Sequence, residues 1–154
     1  MPIKNNKKIS GFTLMELMIA IAILIIALTG LLAIFARLLS LNENARKLTL
    51  ATVACQDKME QIRKSDFSTL YAAYNGTNFD PSGFPAGEAK GAVSIDNTDP
   101  KLLKVYVSVS WRERSNRVIG EDKNLNGTRD AGEDVNTNGM LDSPAALATL
   151  MAQR

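Results

Sequence analysis

An α+β fold is written into these 154 residues, with one long N-terminal helix laid on a small antiparallel sheet. Three observations predict it. Gly11 to Leu39 is an almost unbroken apolar run; Leu41, Ala45, Leu48, Thr52, Cys55, Met59 and Ile62 continue it in steps of three and four; and Leu103 to Arg112 alternates apolar with polar residues. The first two carry a helical repeat and the third the period of a half-buried strand.

Between Leu17 and Ala36 no residue is charged. At about 1.5 Å per helical residue that stretch reaches roughly 30 Å, the hydrocarbon thickness of a bilayer, so it can span a membrane once. Lys4, Lys7 and Lys8 precede it with no acid among them. Positive charge there sets the leader on the cytoplasmic side and everything after Leu39 on the exported side. Glu16 lies near the start of the run, where an ionised carboxylate costs on the order of a few kcal/mol unless it reaches the headgroups or finds a partner.

The residues around that acid carry a resemblance. A short basic leader, Met1 to Gly11, then Gly11-Phe12-Thr13-Leu14-Met15-Glu16 and a membrane-length apolar helix, resembles the class III signal peptide of type IV prepilins and type II secretion pseudopilins. A conventional secretory signal would have a shorter apolar core and a small-residue cleavage site after it, not before it. The resemblance implies cleavage between Gly11 and Phe12 by a prepilin peptidase, N-methylation of Phe12, and pairing of the new ammonium with Glu16 of a neighbouring subunit. Glu16 would then pin the register of helix packing, since either charge alone would be buried and unpaired. The implied division is a cleaved basic leader over 1–11, a transmembrane and assembly helix over 12–39, and a pilin-like globular domain over 40–154 with residues 120–144 inserted.

Composition excludes some chemistry. Losing the three leader lysines takes the formal charge from +2 to −1, so the basic balance belongs mostly to the leader and gives no reason to expect nucleic acid. Cys55 is the only cysteine, which forbids an internal disulfide and suits a small buried hydrophobe. There is no histidine. Ser-His and Cys-His nucleophilic catalysis are therefore excluded, a conventional zinc site is disfavoured, and no enzyme is expected.

One helix is predicted from Thr13 to Lys64, with local bending at Thr29-Gly30 and no proline until Pro81. The segment Ala51 to Arg63 resembles the helix end of minor pilins of the pilus-modification type and of related minor pseudopilins. Ser65-Asp66 end the spine and cap a short turn, Phe67 to Tyr74. Asn75 to Ala89, rich in Gly, Pro, Asn and Asp, reads as a loop. Its neighbourhood is aromatic (Tyr71, Tyr74, Phe79, Phe84), which suits either packing on the sheet or contact with a next subunit.

Gly91 to Asp96 predicts a short strand and Asn97 to Pro100 a turn. In the strand Leu103 to Arg112, Leu103, Val105, Val107, Val109 and Trp111 should rest on the helical stripe, while Lys104, Tyr106, Ser108, Ser110 and Arg112 face water. Ser115-Asn116 turns the chain, and Arg117-Val118-Ile119 begins a return strand.

Gly120 to Pro144 interrupts that return. Asp122, Asn124, Asn126, Gly127, Thr128, Asp130 and Glu133 occupy positions 1, 3, 5, 6, 7, 9 and 12 of an EF-hand-type calcium loop. Alternate oxygens converge in such a loop, Thr128 supplies its carbonyl, and Glu133 closes the cage with two oxygens. Twelve residues on, Asp134, Asn136, Asn138, Gly139, Met140 and Asp142 repeat the pattern, but position 12 is Ala145. Weak binding, a borrowed ligand, or bracing of the first loop all stay open for this second copy. The insertion holds six acids against two bases, whose oxygens would repel one another without Ca²⁺. A solvated Asn/Asp/Gly loop full of side-chain turns is the plain alternative.

After Pro144, composition favours a helix. In the minor pilins this chain resembles, a terminal strand occupies the place of Leu147-Ala-Thr-Leu-Met151, so an edge strand beside Leu103 to Arg112 is expected.

The resemblance implies a non-enzymatic building block: a minor pilin of a type IV pilus or related filament, near its tip or at its initiation; the loop spacing of the insertion adds the expectation that calcium stabilises it. Its implied partners are other pilin or pseudopilin subunits through the N-terminal helix, the prepilin peptidase and an inner-membrane assembly platform, with no nucleic acid. It would start in the inner membrane, N-terminus cytoplasmic, and end in a periplasmic or cell-surface filament. The alternatives are a minor pseudopilin of type II secretion and a membrane-anchored calcium-binding protein that does not polymerise.

Overall fold

The computed structural model describes residues 11–99 and 101–153, so the predicted leader lies, except for Gly11, outside the described residues. In chain order the elements are α1 (Leu14–Arg63), α2 (Phe67–Tyr74), β1 (Asn78–Phe79), β2 (Ala89–Asp99), β3 (Leu102–Arg112), β4 (Val118–Ile119) and β5 (Ala145–Ala152). The chain divides into two compact units between Leu41 and Asn42, and each is taken by itself.

The first unit holds the apolar part of α1. It runs unbroken through Gly30, where Thr29 Oγ1 donates back to the Ile26 carbonyl at 2.9 Å. A window of 18 residues reaches a mean hydropathy of 3.0 with none of it buried, long and apolar enough to cross a membrane. The helix starts on half of a capping box: Thr13 Oγ1 accepts the backbone N–H of Glu16 at 3.3 Å, satisfying one of the four N–H groups that a helix N-terminus leaves without a partner.

In the second unit α1 buries Ala51, Ala54, Cys55, Met59 and Ile62. The buried stripe thus starts later than its spacing suggests, for Ala45 and Leu48 are exposed. The sheet explains it. Strand β3 ends at Arg112, and beyond that point α1 meets polar chain ends: Lys47 Nζ donates to the Arg112 carbonyl at 2.8 Å and Asn44 Nδ2 to Glu113 at 3.1 Å. The segment after the spine is a true helix, α2, with Leu70 buried, although Asp66 makes no side-chain cap.

The sheet is antiparallel, with β1 on β2, β2 on β3, and both β4 and β5 on β3. Its inner face (Ala89, Val93, Ile95, Leu103, Val105, Val107, Val109, Trp111, Ala145) packs on the buried helix residues as one core. Each fully buried valine or isoleucine there contributes about 1.5–3 kcal/mol. Two boundaries differ from expectation. Strand β2 extends over Ala89–Asp99, which moves its turn past Asp99, where Asp99 Oδ1 accepts the Lys101 N–H. Strand β1 rises from the predicted loop by pairing Asn78 and Phe79 with Ala92 and Gly91; Gly91 leaves room for the Phe79 ring, whose atoms would lie 2.3 Å from a Cβ there.

The return strand is cut in two. Trp111 pairs with Ile119 and Val109 with Ala145, so β4 and β5 lie in line along the same edge of β3 and the insertion leaves from the gap opposite Ser110. Pairing over Leu102 to Val109 overrides the helical preference of the C-terminal segment. The outer face of β3 departs from the expected wet face: Ser108 and Ser110 are each 2 % exposed, because the insertion folds back over them. Ser108 Oγ donates to the Leu141 carbonyl, Ser143 Oγ to the Val109 carbonyl and Tyr106 Oη to Asp142. Leu125 and Leu141, both buried, anchor it.

Candidate functional site: the acidic insertion and the helix terminus

The two halves of the insertion adopt one conformation twice. In the first, Asp122 accepts the N–H groups of Asn126 and Gly127 at 3.1 and 2.7 Å, Asn124 Oδ1 accepts Asn126 N at 3.0 Å, and Asn126 Oδ1 accepts Thr128 N at 2.7 Å. In the second, Asp134 accepts Asn138 and Gly139 at 3.0 and 2.8 Å, Asn136 Oδ1 accepts Asn138 N at 3.1 Å, and Asn138 Oδ1 accepts Met140 N at 2.8 Å. Even the unusual backbone repeats, with positive φ at Leu125 and Gly127 and again at Thr137 and Gly139. Alternating short polar side chains that fold back on the next backbone amides dictate this curl.

Closure of the two halves is where expectation and structure part. In the first, Glu133 Oε1 and Oε2 accept the N–H groups of Lys123 and Asp130 at 3.0 and 3.1 Å. In the second, Ala145 is buried in β5 with its carbonyl accepting from Cys55 Sγ. Its place is taken by Glu121, whose Oε1 and Oε2 accept Val135 N and Asp142 N at 3.1 and 2.9 Å. Sequence reasoning missed Glu121, although Glu-Asp recurs at 121–122 and 133–134 with the same spacing of twelve.

Charge is concentrated and partly withdrawn from water. Asp122 is 1 % and Glu133 5 % exposed. Burial pushes the Asp122 carboxyl above its ordinary value and the nearby Glu133 charge adds to that, against the N–H groups of Gly127 and Asn126 that favour the carboxylate. In the second half, the hydroxyl of Tyr106 holds Asp142 below the usual range, helped by the amides of Asn136 and Asn138. Asp134 is desolvated in the upward direction, yet the Gly139 N–H and Arg129, 3.1 Å away, bring it below its ordinary value.

Stability from Asp142 is present above the unfolded carboxylate value near 4 and is lost as pH falls through the lower folded value. Tyr106→Phe removes the main cause. It is expected to cost about 1–2 kcal/mol at neutral pH and to move acid unfolding to higher pH, with the gap to wild type closing in strong acid. Denaturant melts across that range check it.

The donor set fits a hard cation: carboxylates, amide oxygens and carbonyls, with no sulfur or imidazole. The structure brings Asp122, Asn124, Asn126, Asp130 and Glu133 around one curl, and Asp134, Asn136, Asn138 and Asp142 with Glu121 around the other. Among the described residues no three Asp, Glu or Cys side chains converge; at Asp130 the neighbours are amides, Asn124 and Asn126 both donating Nδ2 to Oδ2, at 2.7 and 2.8 Å. Met140 contributes only its backbone.

At the other end, Phe12 and Glu16 are exposed at the start of α1, four positions apart. Glu16 meets the Thr13 hydroxyl through its backbone N–H and not through its carboxylate. Residues 6–32 match the prokaryotic N-terminal methylation motif, a span that contains Gly11, Phe12 and Glu16. No curated protein and no solved structure matches the chain.

Proposed function

We propose that this chain, which carries in its first helix the signature of type IV pilins and pseudopilins, is a minor pilin that enters a type IV pilus or related filament at initiation or near the tip. The observation behind the reading is the methylation motif on the first part of α1, where an 18-residue window is apolar and wholly unburied. A helix of that kind requires lipid or neighbouring helices to cover it. In this reading the prepilin peptidase cuts after Gly11 and methylates Phe12, the precursor waits in the inner membrane with its leader cytoplasmic, and an assembly platform draws it among other subunits. The ammonium of Phe12 then meets Glu16 of a neighbour.

Mass spectrometry of the mature N-terminus tests this. N-methyl-Phe12 is the expected result; an intact Met1 or a cut elsewhere overturns it in favour of an anchored protein that does not polymerise. The same signature serves a minor pseudopilin of type II secretion, and a deletion strain separates the two by losing pili or losing secretion.

We further propose that the insertion binds calcium through Asp122, Asn124, Asn126, the Thr128 carbonyl, Asp130 and Glu133, with a second site over Asp134, Asn136, Asn138, the Met140 carbonyl and Asp142. Bound there, the cation neutralises carboxylates that the fold holds together, and so ties folding to the calcium outside the cell. Support comes from the repeated loop spacing and from the withdrawal of Asp122 and Glu133 from water. Glu133→Ala is expected to weaken calcium binding by at least about tenfold and to raise proteolysis between Gly120 and Pro144. Identical calorimetric titrations of variant and wild type would sink this reading.

A further inference from the structure

We propose that the insertion is one interlocked unit in which each half is closed by the glutamate that precedes the other, Glu133 for the first and Glu121 for the second, so that neither half keeps its shape alone. The two closures are the same interaction. Glu133 takes the amides at positions 2 and 9 of the first half, and its own N–H donates to the position 9 carbonyl, Asp130 O, at 3.2 Å. Glu121 takes the amides at positions 2 and 9 of the second half, and its own N–H donates to that half's position 9 carbonyl, Asp142 O, at 2.8 Å.

The difference lies in connectivity. Glu133 follows the curl it closes, whereas Glu121 reaches the second curl from the far side of the first. Opening the Glu121 clasp therefore frees the neck at which the chain departs from β4 and returns to β5, and both halves lose their common base. Arg129 and Asp134, 3.1 Å apart, are a second tie across the pair. A carboxylate accepting two backbone amides leaves both without partners when it is removed, a loss that propagates through curls made almost wholly of such bonds. This inference rests on hydrogen bonding alone and does not require the calcium reading.

Amide hydrogen exchange on the full chain in detergent micelles, with a chelator present and no calcium, tests it. Glu121→Ala is expected to speed exchange at Val135 and Asp142 by at least about tenfold, and to do the same in the first half at Asn126, Gly127 and Asp130. Glu133→Ala should carry its effect into residues 135–142 in the same way. If Glu121→Ala also strips protection from Val105 and Val107 in the core, Glu121→Gln, which keeps one acceptor oxygen, replaces it and should give a smaller rise shared by both halves. A rise confined to residues 134–142, or none, overturns the proposal.

Discussion

Replacing Glu16 by alanine is expected to abolish incorporation into filaments, by at least about a hundredfold, while membrane insertion stays intact. Insertion should if anything improve, because an acid in a spanning helix opposes it by up to about 2.5–3.5 kcal/mol at mid-membrane and less near the end where Glu16 lies. Assembly has the opposite dependence. If the ammonium of Phe12 is buried among helices, removal of its counter-charge leaves it unpaired, at a cost of roughly 3–5 kcal/mol. Alanine keeps the capping contribution of this position, since Thr13 Oγ1 accepts from the backbone and not from the carboxylate. Quantifying the chain in sheared filaments and in membranes separates the two effects. Normal incorporation of the variant would remove the basis for pairing.

Gly127→Ala is expected to destabilise the globular unit by roughly 2–5 kcal/mol, and Gly139→Ala by only about 1–2 kcal/mol. The two glycines hold the same place in the repeat, and both have positive φ, at 73° and 83°. A side chain pays the left-handed penalty at either. At Gly127 the added Cβ would also fall 2.3 Å from Asn78 Cβ and 3.1 Å from the Gly91 carbonyl, whereas at Gly139 it meets only Arg129 Nη1, at 3.8 Å. The first half of the insertion is pressed against β1 and β2, where Asn78 Nδ2 donates to the Asn126 carbonyl at 3.1 Å; the second turns its glycine outward. Thermal melts of the two variants side by side check the difference.

These contrasts mark where the sequence was legible. The long helix, β3 and the return strand with its interruption follow from local periodicity, and the C-terminal edge strand was expected only from the pilin resemblance, against the helical composition of its segment. The curls of the insertion were equally readable, because an Asp or Asn bonding to amides within five residues is a local event. What escaped was non-local. Period two assigns Ser108 and Ser110 to the face opposite Val107 and Val109, but only the folded insertion decides that this face is covered. Glu121 stands outside the twelve-residue frame, so counting positions leads to Ala145, whereas three dimensions lead back to the start. Thr13-x-x-Glu16 has the spacing of a capping box, and the Thr13 half of it forms, a local role that the position of Glu16 in an apolar run hides.

The gap opposite Ser110 has one more consequence. Because Ile119 and Ala145 face Trp111 and Val109, β4 and β5 are collinear pieces of a single hairpin arm, and one residue would bridge them. The surface beneath the insertion presents serines, a tyrosine and a lysine, side chains that tolerate water. The acidic segment is therefore spliced into one arm of a hairpin, and β3 alone holds the two pieces of that arm in line on either side of it.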